Sequence, residues 1–217
     1  FIFPKRKKKK DDMFAARILY PVEVLGPGKR IGLWLSGCSR KCTGCSNPEL
    51  WEQKKEQFIS VKHLSALLHR LALDHPVDGI TITGGEPMDQ AEEVSLLLPL
   101  LCDITEDVLM YSGYTLEELR GRKDAYTDTI LRHLAVLIDG DYQEKLNDGS
   151  PLRGSSNQRI HVFCENVRDL YVDYLSNKNQ IQNFSLGHSI ISTGIHHPDY
   201  QTALKNAAKQ KGLIEND

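Results

Sequence analysis

The sequence predicts an α/β protein, an open or partial β/α barrel of about six β/α units. Three observations carry that expectation. Short runs that are apolar throughout alternate with segments of helical periodicity, the pattern of a parallel sheet covered by helices. The units fall short of the eight in a closed barrel of roughly 250 residues. Four unusual segments sit at the predicted carboxyl ends of strands, where such folds gather their chemistry.

The elements follow in order. The turn Gly26-Pro27-Gly28 introduces a buried strand over 31–36, and a cysteine-rich loop follows it. Ser60 is a good N-cap, and Val61, Leu64, Leu67, Leu68 and Leu71 recur at helical spacing. A β-branched strand at 79–83 runs into Gly84-Gly85-Glu86-Pro87, and 90–102 resume a Leu-rich helical pattern. A strand at 108–111 precedes a short helix capped by Thr115 and a second helix over 124–133. The apolar run 134–138 predicts a strand ending at Asp139-Gly140-Asp141. A polar stretch, 147–157, leads to a strand at 159–163. Beyond it the pattern weakens to a strand at 189–192 and a polar helix at 200–211.

Composition bounds the class. The chain has 217 residues, 40% apolar and 26% charged, ordinary for a soluble globular protein at the upper edge of one domain. No apolar run approaches the ~18 residues that cross a bilayer. No cationic segment leads into an apolar core and a cleavage site, so a membrane protein and a secretory precursor are poor readings. Lys5 to Lys10 is a run of six bases. Outside residues 1–12, which hold six bases and two acids, 21 basic against 27 acidic residues leave a net charge of −6. Nothing downstream interleaves aromatics with bases as a nucleic-acid surface does. Residues 1–12 therefore read as a basic disordered tail and 13–217 as one domain, with neither nucleic acid nor membrane as partner.

The five cysteines are distributed unevenly. Cys102 and Cys164 lie in or beside apolar segments and read as small buried hydrophobes. Cys38, Cys42 and Cys45 are too close together for a disulfide framework. They read as ligands held in one loop in a reducing compartment, the cytoplasm. Structural zinc and iron–sulfur sites usually close with four protein ligands. Here the nearest local candidate, His63, falls inside a predicted helix. Three thiolates without a local fourth ligand suggest a centre with one open coordination position. A zinc site completed by a distant histidine, or three free thiols, is the alternative.

The spacing C-x3-C-x2-C resembles the radical S-adenosylmethionine (SAM) enzymes. Within them the sequence is similar to the activating proteins of anaerobic ribonucleotide reductases. The similarity includes Gly26-Pro27-Gly28, Ser36-Gly37-Cys38, Cys45-Ser46-Asn47 and Trp51. It continues through Thr83-Gly84-Gly85-Glu86-Pro87, Tyr111 to Leu119, Leu137 to Gly140 and Arg153 to Gln158. It spans about residues 20 to 161, leaving 162–217 as a C-terminal extension without a clear family match.

The resemblance implies a partial β/α barrel of the radical SAM type, with a 4Fe–4S cluster on Cys38, Cys42 and Cys45. S-adenosylmethionine would chelate the fourth iron. Its reductive cleavage would yield a 5′-deoxyadenosyl radical that takes a hydrogen atom from a glycine of the reductase large subunit. Thr83, Gly84, Gly85 and Glu86 would meet the amino end of SAM. Ser112 and Asp139 would supply ribose, carboxylate or cation contacts, and Arg153 to Gln158 the adenine end or the partner's glycine loop. The electron donor implied is a reduced flavodoxin or ferredoxin.

Asp141 departs from a basic residue that some relatives place there to meet the SAM carboxylate. Bland readings stand beside these: a strand-to-helix turn at Gly84–Pro87, a simple turn at Asp139–Asp141, and a solvated loop at 153–158. His196-His197-Pro198 reads as a loop, because adjacent residues of an extended segment point opposite ways. The extension is long enough for one or two more β/α units. It leaves open another glycyl radical enzyme or a peptide as substrate. A non-catalytic iron–sulfur or zinc protein is the alternative of a different class.

Overall fold

A computed structural model describes residues 11–186 and 189–210. The expected basic tail therefore lies almost wholly outside the described residues. Strand β1 (Asp12–Val22) lies between β3 (Phe58–Ser60) and β2 (Arg30–Leu35), antiparallel to both. From β2 the sheet continues in parallel through β4 (Gly79–Gly84), β5 (Val108–Ser112) and β6 (Val136–Asp139). It ends on β7 (Arg159–Val162), antiparallel to β6, so the order is β3-β1-β2-β4-β5-β6-β7. The sheet is open, since β3 and β7 each have one neighbour.

This mixed sheet bears out the α/β class and corrects the count of about six β/α units. Among the described residues four strands run parallel. A parallel return needs a crossover of a dozen residues or more, usually a helix. The link from β6 to β7 carries one 3-10 turn, 144–146, and the chain doubles back. Among the described residues the extension builds no further β/α unit either. It forms helix α5 (Arg168–Leu175), a separate antiparallel hairpin of β8 (Ile181–Leu186) and β9 (Ser189–Gly194), and helix α6 (Tyr200–Gln210).

Of the helices α1 (Val61–Asp74), α2 (Ala91–Leu97), α3 (Leu116–Arg122) and α4 (Ala125–His133), all but α2 begin where capping chemistry directs them. Ser60, Thr115 and Asp124 each accept a backbone N–H from the first turn, and Thr115 with Glu118 completes a capping box. Ile31, Leu33, Leu35, Ile80, Ile82 and Met110 bury one face of the sheet against Leu64, Leu68, Val94, Leu97 and Ile130 of the helices. Trp34 points to the opposite face, over Gly32, where a Cβ would lie 2.4 Å from the indole ring. That face is covered by the extension: Phe184, Ile191 and Ile195 pack on the cluster of Leu19, Val22, Val24, Leu25 and Trp34. Cys102, expected in the core, is exposed. The turns after α2 present Leu97, Leu98 and Leu101 inward instead.

At the amino ends of the parallel strands lies Arg30, fully buried. Its guanidinium pairs with Asp107, whose Oδ1 accepts from Arg30 Nη2 at 3.2 Å and from the Tyr171 hydroxyl at 2.7 Å. Arg30 Nε donates to Thr81 Oγ1 at 2.7 Å, and Nη2 to the carbonyls of Ile80 and Asp107. Gly79 and Gly26 make the space, since a Cβ there would fall 2.2 and 2.8 Å from the Arg30 side chain. Removing one partner of a buried pair leaves the other charge without compensation. Asp107→Ala is therefore expected to lower the unfolding free energy by about 3–5 kcal/mol in urea denaturation. Tyr171→Phe should lower it by about 1 kcal/mol. Equal, small losses in both would show that the pair does not anchor this end of the sheet.

Candidate functional site

The three thiols lie on the loop that leaves β2. Its backbone is tied down at both ends: Gly37 N donates to Leu50 O at 2.8 Å and Cys38 N to Trp51 O at 3.0 Å. Gly37 and Gly44 take positive φ, 96° and 74°, which a side chain would disfavour. Ser39 donates through its amide and hydroxyl to Asp89, at 2.6 and 2.8 Å.

The end of β4 packs directly on this loop. Gly85 N donates to Leu35 O at 2.8 Å and Glu86 N to Gly37 O at 2.9 Å. A Cβ on Gly84 would lie 2.4 Å from Leu35 O, and one on Gly85 2.2 Å from Gly37 O. Paired glycine is required here because backbone meets backbone. The structure thus brings Thr83 to Glu86 against the loop of Cys38, Cys42 and Cys45.

Three of the candidate side chains bind their own chain. The Glu86 carboxylate is 2% exposed and accepts from Met88 N, Ser112 Oγ and Gly113 N at 2.9, 2.9 and 2.7 Å. Burial raises its pKa, and these hydrogen bonds offset the rise without cancelling it. Ser112 so joins the end of β5 to the end of β4. Asp139 is buried and accepts from Leu116 N and Arg159 Nη2, both at 2.6 Å, with His161 Nε2 at 3.0 Å. It fastens β6 to the first turn of α3 and to β7. Asp141 lines a wider opening beside Cys42, with Arg40, Tyr114 and Tyr142.

Burial pushes all three loop thiols up from the usual cysteine range, so their protons must leave when a metal centre is bound. Around Cys45 there are donors for a thiolate. Asn47 N lies 3.4 Å from Cys45 Sγ. The Trp51 indole N–H is buried without a hydrogen-bond partner, near enough to Cys45 to favour its thiolate. An orphaned donor beside a thiol fits the environment of an iron–sulfur cluster, whose sulfurs accept hydrogen bonds from the protein. Among the described residues no three His, Cys, Asp or Glu side chains are arranged to hold a single metal ion.

A residue absent from the sequence reading, Thr193, joins others that it named in a second part of the site. A cavity of about 160 Å³ beside Cys45 and Thr83 is walled by Tyr111, Gln158, Thr193 and His196. His196 is half-buried, with Nε2 2.9 Å from Ser192 Oγ and its carbonyl accepting from Asn147 Nδ2 at 2.8 Å. The segment expected to be a plain loop is therefore part of a pocket wall. Of the 153–158 stretch, Gly154 and Gln158 reach this cavity. Gln158 accepts from Gly154 N and donates to Gly140 O, both at 2.8 Å.

A family model described as a 4Fe-4S single cluster domain matches residues 24–161. The match and the thiol loop define the class, an α/β protein built around one iron–sulfur cluster. The chain is 31% identical over 154 residues to the anaerobic ribonucleoside-triphosphate reductase-activating protein of Enterobacteria phage T4, covering 69% of this chain and 94% of that one. The proteins of that name from Vibrio cholerae serotype O1 and Escherichia coli strain K12 are each 33% identical, over 159 and 151 residues. Those matches cover 66% and 65% of this chain and 95% and 94% of theirs. The chain belongs to the family of anaerobic ribonucleoside-triphosphate reductase-activating proteins. These relatives are nearly spanned by two-thirds of it, so about a third of the chain has no counterpart in them.

The ion pair at Asp139 sets a pH dependence. Burial works to raise the Asp139 pKa, but the hydrogen bonds from Arg159 and the Leu116 amide, with His161 close by, outweigh it and the pKa falls. A carboxylate depressed in the folded state contributes stability above its unfolded pKa, ~3.9, and loses it as pH falls through the folded value. In urea unfolding compared at about pH 5 and pH 2, Asp139→Asn should lose less stability on acidification than the parent. Equal losses would remove Asp139 from the acid response.

Proposed function

We propose that the protein is a radical SAM activase that generates a glycyl radical on an anaerobic ribonucleotide reductase. The observation that carries this reading is the seating of the three-cysteine loop on Gly84-Gly85 at adjoining strand ends, in a chain of the activating-protein family. Cys38, Cys42 and Cys45 would hold a 4Fe–4S cluster, leaving one iron for S-adenosylmethionine. With both bound, the cluster would pass one electron from reduced flavodoxin or ferredoxin to S-adenosylmethionine, and this reductive cleavage would release methionine and supply the chemistry that removes a hydrogen atom from a glycine Cα of the large subunit, leaving 5′-deoxyadenosine.

The chain's own residues orient and enclose. Thr83 and the backbone of Gly84 and Gly85 receive the amino end of SAM. Glu86 and Ser112 keep the ends of β4 and β5 together beneath it, and Asp139 keeps β6 in line with them. The Asn47 amide and the Trp51 indole N–H stabilise the Cys45 thiolate. No described helix is long and apolar enough to cross a membrane. The cytoplasm is the compartment this reading requires.

The test is anaerobic reconstitution with iron and sulfide, then reduction in the presence of SAM. Formation of 5′-deoxyadenosine that falls to background in Cys42→Ala is expected. A colourless protein holding zinc and no iron after anaerobic purification would reject the reading. Mixing with the cognate reductase should then give a glycyl radical signal in electron paramagnetic resonance. SAM cleavage without that signal would move the activity to another glycyl radical enzyme or a peptide.

A further inference from the structure

We propose that Thr193 hydrogen-bonds the adenosyl end of bound S-adenosylmethionine, which makes the C-terminal extension part of the cofactor site. The inference rests on the radical SAM reading above. Thr193 lies on β9, in the hairpin beyond the family match, which ends at residue 161. Its side chain is 3% exposed, and the hydroxyl oxygen is buried without a hydrogen-bond partner. Burying a hydroxyl without a partner is unfavourable, and native proteins rarely tolerate it without a reason.

The hydroxyl belongs to a residue lining the cavity that also touches Cys45 and Thr83. Two other polar side chains on this wall are already committed. The Tyr111 hydroxyl donates to Leu152 O at 2.6 Å, and both ends of the Gln158 amide are paired. At about 160 Å³ the space is smaller than the ~300–1,000 Å³ of pockets that enclose whole drug-sized ligands, so it takes one end of a ligand.

That end is the adenosyl one. The cavity lies between the cluster loop and the ends of β4 and β5, next to Gly154 and Gln158. A ligand that met the cluster and Thr83 with its methionine end would have its nucleoside left for the rest of this space. Ribose hydroxyls donate and accept, as a threonine hydroxyl does, so the two pair in either sense.

The hairpin is anchored well enough to present such a group. Phe184, Ile191 and Ile195 pack on the cluster around Trp34. Gln182, opposite Thr193 in the hairpin, accepts from Glu23 N and donates to Pro21 O.

Thr193→Val keeps the shape and removes the hydroxyl. In the full chain with its cluster reconstituted, titration calorimetry with SAM and S-adenosylhomocysteine should show binding about three- to tenfold weaker in Thr193→Val. Thr193→Ser should restore it. Iron content should match the parent, and the unfolding temperature of the ligand-free protein should be unchanged or raised, because the hydroxyl has no partner to lose. Unaltered affinity in Thr193→Val, or a lowered ligand-free unfolding temperature with unaltered affinity, overturns the proposal and makes the hydroxyl structural. A parent chain that holds its iron and binds no SAM overturns the radical SAM reading and this inference together. A parent that binds SAM, with Thr193→Val binding equally well, overturns this inference alone.

Discussion

Backbone resting on backbone is the contact on which the site depends. Gly84 and Gly85 bring the end of β4 so close to Leu35 and Gly37 that no Cβ fits between them. The hydrogen bonds Gly85 N to Leu35 O and Glu86 N to Gly37 O then lock the thiol loop to the sheet. Such a joint has few rotamers and little freedom to relax, so the loop's position follows from the register of β2 against β4. Glu86 extends it sideways. By gathering the amides of Met88 and Gly113 and the hydroxyl of Ser112, its carboxylate makes three separate segments one support. The site is preorganised before any ligand arrives, which lessens the ordering that binding must impose.

The other end of the parallel strands is organised by charge. Arg30 fills the space that Gly26 and Gly79 leave, and Asp107 answers it. Tyr171 adds a donor from α5, so the extension is tied to the sheet far from the thiols. The same extension returns across the sheet face to stand beside Cys45. One segment therefore connects the structural anchor at one end with the candidate site at the other.

Cys38, Cys42 and Cys45 were legible because three thiols crowded into one short loop suit metal ligation far better than packing or disulfide bonding. The seating of Gly84-Gly85 against them was legible only as a strand end. A ligand and a neighbouring backbone both call for glycine, and the sequence does not say which. Strand β1 was missed because its bulges, between Ala15 and Arg17 and between Leu19 and Val22, break the two-residue alternation that marks a strand. The reversal of β7 escaped notice because apolarity carries no direction. Cys102 was misplaced because an apolar run does not reveal which side of a helical turn faces inward. Thr193 had no local signal at all, and His196 was legible only as part of a loop. Both reach the wall of a cavity shared with Cys45 and Thr83, more than a hundred positions away, which no periodicity encodes.

The hairpin's attachments also bear on the order in which the site is completed. The thiol loop is closed by short-range bonds, from Gly37 to Leu50 and from Cys38 to Trp51. The hairpin is fastened by bonds from Gln182 to Glu23 and Pro21, 159 and 161 residues apart in the chain. Long-range closures lose more chain entropy and form later than local ones. The thiol loop therefore rests largely on closures within and near itself, whereas the wall bearing Thr193 rests on some of the longest in the chain. The cavity beside Cys45 is in this sense the part of the site most exposed to any loosening of the hairpin.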